Sequence, residues 1–341
     1  MSWRKGDTVL KTRITQQYGL EVPIISAGMA FVAGPPLAAS VSNAGGMGML
    51  GGAMLPPPAL RSLVRATREL TARPFGVDLL GDFVEDAHIE VLAEERVAVV
   101  VFFWSPPKRA HLERLRSAGV RVWIQVGSVA EAREAAALGV EALIAQGAEA
   151  GGHNRAEAST FALLPAVRAA VAPLPVIAAG GIVDGRSLAA ALALGAEAVW
   201  CGTRFLASVE AQAHDEYKRR VLTASVGDTV RTKLFGPEWP GQSMRVLRNR
   251  VVREWSGREA EAQALRVPEP IGHTVMGGQR VPLPKFSALL PTTQTEGDFE
   301  EMGLTMGEAC GNVSELLPAA TLVSSMAEEA REVLTSLART V

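Results

Sequence analysis

Between residues 118 and 196 a helical pattern three times meets a glycine and restarts as an apolar run: Ala118-Gly119-Val120, Leu138-Gly139-Val140 and Leu194-Gly195-Ala196. Glycine at that place ends a helix without the penalty a Cβ would bring. The residue after it opens a strand. Short units that alternate strand and helix bury both apolar faces only in an α/β fold with a parallel sheet. No other feature restricts the fold as much.

Followed outward, the pattern yields eight strands. They are read at Val22–Ala27, Met47–Leu50, Pro74–Leu79 and Val97–Phe103, then up to Gln125, up to Gln146, at Pro175–Ala179 and at Ala198–Cys201. Each is followed by a helix, the last from about Ser208 to Ala224. Eight strands close a (β/α)8 TIM barrel. A doubly wound open sheet is the alternative, because continuous apolar strands fit both. The chain of 341 residues is longer than such a barrel needs. The expected organisation is a barrel over residues 1–224, a smaller subdomain over 225–303 and C-terminal helices over 304–341 that pack back on the barrel. Trp239-Pro240-Gly241, Pro268-Glu269-Pro270, Met276-Gly277-Gly278 and Pro282-Leu283-Pro284 punctuate the subdomain. The final helices are read at about Met306–Leu317 and Ala319–Ala338.

Composition excludes several classes. At 48% hydrophobic the chain is not disordered, and a net charge of −2 with dispersed Lys and Arg leaves no footprint for nucleic acid or an anionic membrane. No apolar run reaches the length of a membrane span, and Met1 to Lys5 leads into no signal-peptide core. Cys201 and Cys310 stand in apolar surroundings and are too few for a disulfide framework, so a cytoplasmic protein is expected. Arg245, Arg248, Arg250, Arg253 and Arg258 read as a structural brace, with a dimer surface or a site for an acidic carrier as alternatives. Glu328, Glu329 and Glu332 read as a solvated helix face.

In a β/α barrel the chemistry sits where the strands end. Gly180-Gly181 ends strand seven and Gly202-Thr203 ends strand eight, where such barrels often cradle a phosphate. The plainer reading is tight turns. Gly28, Met29 and Ala30 end strand one with the small residues that a flat ring needs for close backbone approach. Gln125 and Gln146 end strands five and six, either to meet a polar ring edge or to tie adjacent loops together. His153 follows Gly151-Gly152 after strand six and can serve as acid or base, since imidazole titrates near neutrality; a capping histidine is the alternative. His88, His111 and His214 lie in charged helical stretches and read as surface residues. His273 has no second ligand at metal spacing, so no metal site is expected. Phe102-Phe103-Trp104 reads as core packing rather than a ligand wall.

Several phrases in order resemble the nitronate monooxygenase family. They are Pro23-Ile24-Ile25-Ser26-Ala27-Gly28-Met29, Ser42-Asn43-Ala44-Gly45-Gly46-Met47-Gly48, Arg73-Pro74-Phe75-Gly76-Val77-Asp78, Glu149-Ala150-Gly151-Gly152-His153, Ala179-Gly180-Gly181-Ile182-Val183-Asp184-Gly185 and Gly202-Thr203-Arg204-Phe205. The family shares its barrel with FMN-dependent enoyl-acyl-carrier-protein reductases and some NADH:quinone reductases. The resemblance implies one non-covalent FMN at the barrel mouth. Gly28, Met29 and Ala30 would line its ring, Gly151 and Gly152 would pass beside it, and Gly180, Gly181, Gly202 and Thr203 would hold its phosphate. Gln125 stands where the family often has Lys, and His153 matches the catalytic histidine. Two departures are Ser26-Ala27, where the family often has Gln, and Met306-Gly307-Glu308, where it commonly reads Ala-Gly-Gln. The implied activity is oxidation of alkyl nitronates with O2 to carbonyl compounds and nitrite. An NAD(P)H-dependent reductase of enoyl-ACP or quinone is the alternative, and a non-catalytic flavin-binding barrel a third. The expected partners are a small-molecule substrate and O2, with NAD(P)H and a homodimer left open and neither nucleic acid nor membrane involved.

Overall fold

A computed structural model describes residues 10–236, 239–265 and 269–339. The Met1 to Lys5 stretch and Pro268, on which sequence expectations were placed, lie outside the described residues. Helix α1 (Arg13–Tyr18) precedes β1 (Ile24–Ser26), α2 (Pro35–Asn43), β2 (Gly48–Gly51), α3 (Pro57–Leu70), β3 (Phe75–Leu80), α4 (Asp86–Glu95) and β4 (Val99–Phe103). Then come α5 (Arg109–Ser117), β5 (Arg121–Val126), α6 (Val129–Ala137), β6 (Ala142–Gln146) and a two-residue strand, β7 (Gly152–His153). Helix α7 (Thr160–Val171), β8 (Val176–Ala179), α8 (Gly185–Ala193), β9 (Ala198–Cys201) and the single turn α9 (Thr203–Leu206) follow.

The eight strands β1–β6, β8 and β9 form one parallel sheet in the order β1-β9-β8-β6-β5-β4-β3-β2. The ends meet. Met47 N–H donates to Ile24 O at 3.0 Å and Ser26 N–H to Met47 O at 3.1 Å, which closes the sheet into the expected barrel and leaves no open edge. Gly119, Gly139 and Gly195 hold φ of +79°, +74° and +93°, the left-handed helix ends that the repeat required.

Side chains alternate along each strand. Ile25, Met49, Val101, Trp123, Ile144, Ile177 and Trp200 fill the barrel, while Val100, Phe102, Val122, Ile124 and Leu143 face the helices. Helix α1, which the sequence pattern did not yield, plugs the lower end. The Tyr18 ring meets Trp123 edge-on at 5.2 Å, and its hydroxyl accepts from Trp123 Nε1 at 2.8 Å.

The chain after β9 departs from expectation. In place of a helix over Ser208–Ala224 there is a shorter α10 (Asp215–Thr223). The punctuated segment then forms β10 (Thr229–Thr232), β11 (Met244–Leu247), α11 (Arg250–Trp255), α12 (Glu259–Ala264), β12 (Pro270–Met276), β13 (Gln279–Pro284) and β14 (Glu296–Gly297), before α13 (Ala319–Ala338). It packs its own apolar cluster, including Leu234, Phe235, Val246, Val251 and Phe286. Helix α13 packs against α8 and α2 and so completes the outer ring as its eighth helix. Gly185 permits this approach, since a Cβ there would lie 2.5 Å from Ala330 N. Glu329 accepts from Gly185 N–H at 2.7 Å and pairs with Arg186 at 3.1 Å. It is therefore an anchor rather than part of a solvated face.

Met306–Leu317 is not a helix. Only a 3-10 turn forms, at Glu308–Asn312. Its entry is committed to the barrel loops: Gly307 N–H donates to Thr203 Oγ1 and Glu308 N–H to Glu149 O, both at 2.9 Å. Two surface expectations also fail. His88 and His111 are buried, joining Glu85 N–H and Leu55 O (His88) or Asp86 (His111). Among the described residues no helix is long and apolar enough to cross a membrane, and no His/Cys/Asp/Glu group could hold a metal ion.

Candidate active site

The strand ends and the segment after the barrel enclose a cavity of about 230 Å³. It collects residues far apart in sequence. Gly28, Met29 and Ala30 come from the loop after β1, Gln125 and Gln146 from the ends of β5 and β6, and Gly151, Gly152 and His153 from the β6 loop. Gly180 and Gly181 follow β8, and Gly202 and Thr203 follow β9. All twelve residues read from the sequence as catalytic or cofactor-binding candidates therefore line one space.

His153 is aimed by strand pairing. Strand β7 joins β11 in an antiparallel sheet with β10, with Met244 opposite His153 and Arg245 opposite Gly152. Asn154 N–H donates to Ser243 O at 3.0 Å, and Ser243 Oγ donates to Asn154 O at 2.6 Å. Behind this strand Arg245 is buried. It donates to Ala148 O at 3.0 Å and Thr229 Oγ1 at 3.1 Å and pairs with Glu308 at 2.9 Å. The brace reading of the arginines fits their contacts: Arg250 pairs with Asp298 and Glu301, Arg253 with Glu300, and Arg258 with Glu261. Glu308, a departure in the motif, is thus neutralised by a protein cation.

The imidazole packs beside a pair of indoles that touch each other. Its ring centre is 5.6 Å from Trp104 and 5.0 Å from Trp239, and the indoles are 4.5 Å apart. Trp239 Nε1 donates to Asp82 Oδ2 at 3.1 Å, and the Arg155 guanidinium lies 4.1 Å over Trp104. Trp104 holds φ of +72°, an unfavourable backbone for a bulky residue. The Phe102-Phe103-Trp104 stretch is therefore divided: Phe102 is core, Phe103 lines the cavity, and Trp104 walls His153. This enclosure has an electrostatic consequence. Burial pushes the His153 pKa down to about 4, so the ring is neutral at pH 7 rather than titrating there. Its Nε2 is shielded from solvent and has no hydrogen-bond partner.

Asp78, at the end of β3, is the cavity's other ionisable side chain; no Lys or Arg lines it among the described residues. Its Oδ1 is buried without a partner, and burial drives its carboxyl well above the usual carboxylate range. Gly28 crosses directly over it, where a Cβ would lie 2.2 Å from Asp78 Cβ. The sequence showed Asp78 only as part of a phrase. Its isolation among Val77, Leu79 and Leu80 was the available signal. Trp239 gave none, because its partners lie across the fold. Of the two amides, Gln146 donates to His153 O at 3.3 Å, the loop-tying arrangement, while also bordering the cavity.

Comparison with known proteins follows the same line. A family model described as nitronate monooxygenase matches residues 11–87 and 81–329. A relative from Rhodococcus jostii, named (3aS,4S,5R,7aS)-5-hydroxy-7a-methyl-1-oxo-octahydro-1H-indene-4-carboxyl-CoA dehydrogenase, is 42% identical over 65% of this chain, and the match spans 62% of that relative's length. A nitronate monooxygenase from Paraburkholderia phytofirmans is 31% identical over 97% of this chain and 98% of its own. The solved structure of FabK from Thermotoga maritima superposes with a TM-score of 0.82 at 34% identity, covering 98% of this chain and 100% of that one. Barrel, motif order and full-length match agree: the chain belongs to the nitronate monooxygenase family of oxidoreductases.

Proposed function

We propose that the protein is an FMN-dependent enzyme that oxidises alkyl nitronates with O2 to carbonyl compounds and nitrite, with His153 facing the substrate. The observation that carries this is a neutral imidazole on a residue that lines the barrel-mouth cavity, with an Nε2 that has no protein partner.

The residues present fit FMN. Gly202 and Gly181 both line the cavity, and a Cβ on either would make only ordinary contacts with the protein, at 3.7 Å and 3.8 Å. The first N–H groups of α9 have no intrahelical acceptor and suit a phosphate. Gly180, Gly181, Gly202 and Thr203 would hold that phosphate. Gly28, Met29, Ala30, Gly151 and Gly152 would carry the ring, with Gln125 and Gln146 at its polar edge. FMN bound there supplies the redox chemistry that these side chains lack.

The side chains do the rest. With its proton on Nε2, neutral His153 would donate to a nitronate oxygen; in the other tautomer Nε2 would take the carbon-bound proton only where the substrate enters as the neutral nitroalkane. Trp104 and Trp239 keep water from that nitrogen. With no cation in the lining among the described residues, an anionic substrate would be held there by hydrogen bonds and apolar contact.

That last point, with the 42% identity to a carboxyl-CoA dehydrogenase, favours a second reading: oxidation or reduction of an acyl thioester, with NAD(P)H or another partner balancing the electrons. Anaerobic mixing separates the two. The FMN-loaded enzyme is mixed with propyl-2-nitronate, NADH, NADPH or butyryl-CoA, and the flavin absorbance is followed. Rapid bleaching by the nitronate alone is the expected result. Bleaching only by nicotinamide or thioester replaces the first reading with the second.

A further inference from the structure

A second cavity, of about 240 Å³, adjoins the first. Phe31, Leu289 and Leu290 line both, so these side chains form the partition. Phe31 stands at φ of +62°, an unfavourable backbone that only surrounding structure maintains.

The second cavity has a different character. Gln212, Thr292, Thr293 and Gln294 contribute neutral amides and hydroxyls, Leu63 and Met276 contribute apolar surface, and no charged residue lines it among the described residues. One wall is a strand. β12 pairs with β13 as far as Met276, but β14 pairs only with Gly272 and His273. Among the described residues no strand pairs with the other edge of Val275 and Met276, whereas the Thr274 hydroxyl meets that of Thr295 at 3.0 Å; all three residues line the cavity. An unpaired strand edge offers backbone groups to an extended amide chain. A phosphate would find no cation there among the described residues, and a plain alkyl chain would cover the amides of Gln212 and Gln294 and the hydroxyl of Thr293 without bonding them, whereas the Thr292 hydroxyl already meets Gln294 N–H and Thr295.

We propose that this second cavity receives the uncharged, amide-bearing arm of a pantetheine thioester, whose acyl end passes Phe31 into the flavin cavity. The inference rests on the thioester reading of the site. The pantetheine arm carries two amides and a secondary hydroxyl along a chain without charge, which matches the polar lining and the strand edge at Val275 and Met276.

The test uses the FMN-loaded enzyme and three butyryl thioesters: of coenzyme A, of pantetheine, and of N-acetylcysteamine, which reproduces only the end of the arm next to sulfur. Binding is read from the change in the flavin spectrum. The pantetheine thioester is expected to bind at least tenfold more tightly than the N-acetylcysteamine thioester. In Thr293→Trp and Met276→Trp, which fill the cavity from a loop and from the strand, that ratio is expected to fall below twofold. Normal FMN content in either variant shows that it is folded. Comparing butyryl-CoA with butyryl-acyl-carrier protein then identifies which source presents the arm. Equal binding of the two short thioesters, or a ratio that persists in both variants, overturns the inference while leaving the thioester reading in place. Failure of every thioester to perturb the flavin removes that reading and the inference with it.

Discussion

The imidazole of His153 lies 5.0 Å from the indole of Trp239, a contact between a barrel loop and the segment that follows the barrel. The imidazole is therefore buried in part by chain that the barrel itself does not contain. Burial is the only cause of its low pKa. Replacing Trp239 by Ala should expose the ring and bring its pKa back toward the ordinary histidine value of about 6.5. The pH profile of kcat/KM checks this. In the wild type the acid limb assigned to His153 should fall near pH 4, and in Trp239→Ala it should move upward. An unmoved limb would mean that Trp239 does not set the ring's protonation.

Replacing His153 by Asn removes the free Nε2 and keeps a polar side chain of smaller volume. Turnover should drop by about 10²–10⁴-fold, the usual worth of a positioned acid–base group. FMN content should hold, because His153 is not among the residues proposed to hold the phosphate. Full turnover with full FMN would remove it from the reaction.

Asp78 should make stability depend on pH in the direction opposite to most carboxylates. Its folded pKa is raised above the unfolded value. The stabilisation is therefore complete below the unfolded pKa and is lost as pH rises through the folded one. Thermal unfolding from pH 5 to 9 should show the wild type losing Tm with rising pH, while Asp78→Asn stays level. At the alkaline end the Asn variant should be the more stable by about 1–3 kcal/mol, the cost of a buried unsatisfied polar group.

Arg245 and Glu308 form an unequal pair, because the arginine is buried and the glutamate is half exposed. Arg245→Met strands Ala148 O and loosens the strand that aims His153, and should cost about 2–4 kcal/mol by urea unfolding. Glu308→Gln should cost less than about 1 kcal/mol, because water serves the exposed partner. Equal costs would contradict the geometry.

These relationships divide by how far the sequence could carry them. The left-handed glycines at Gly119, Gly139 and Gly195 are local, and so the repeat and the barrel were legible. The cavity glycines and His153 were legible because strand ends gather at one face in any such barrel. Three features were not legible. The helix over Ala319–Ala338 and its return to the barrel were read from the sequence, but its place as the eighth outer helix was not, because that seat depends on Gly185 meeting Ala330 across the fold. The Met306–Leu317 stretch has helical composition, but Gly307 and Glu308 spend their N–H groups on barrel loops. His88 and His111 sit among charged neighbours in sequence and are buried by chain that periodicity does not reveal.

Gly202 gives a test of cofactor placement with little structural confounding. Most glycines around the cavity cannot be changed cleanly. Gly28→Ala would drive a Cβ to 2.2 Å from Asp78 Cβ, and Gly181 holds φ of +74°, so loss of FMN in either variant could follow from distortion alone. Gly202 has a negative φ of −94°, and its nearest atom to an added Cβ is Ala27 Cβ at 3.7 Å, ordinary contact. Gly202→Ala should therefore leave the Tm of the FMN-free protein within about 2 °C of wild type, since a surface-like change costs within about 0.5 kcal/mol. A phosphate held at this loop would meet the new methyl group directly. FMN affinity, measured by fluorescence titration of the apoprotein, should then weaken by at least tenfold. Wild-type affinity in a normally stable Gly202→Ala protein would place the phosphate elsewhere and leave the loop after β9 as a turn.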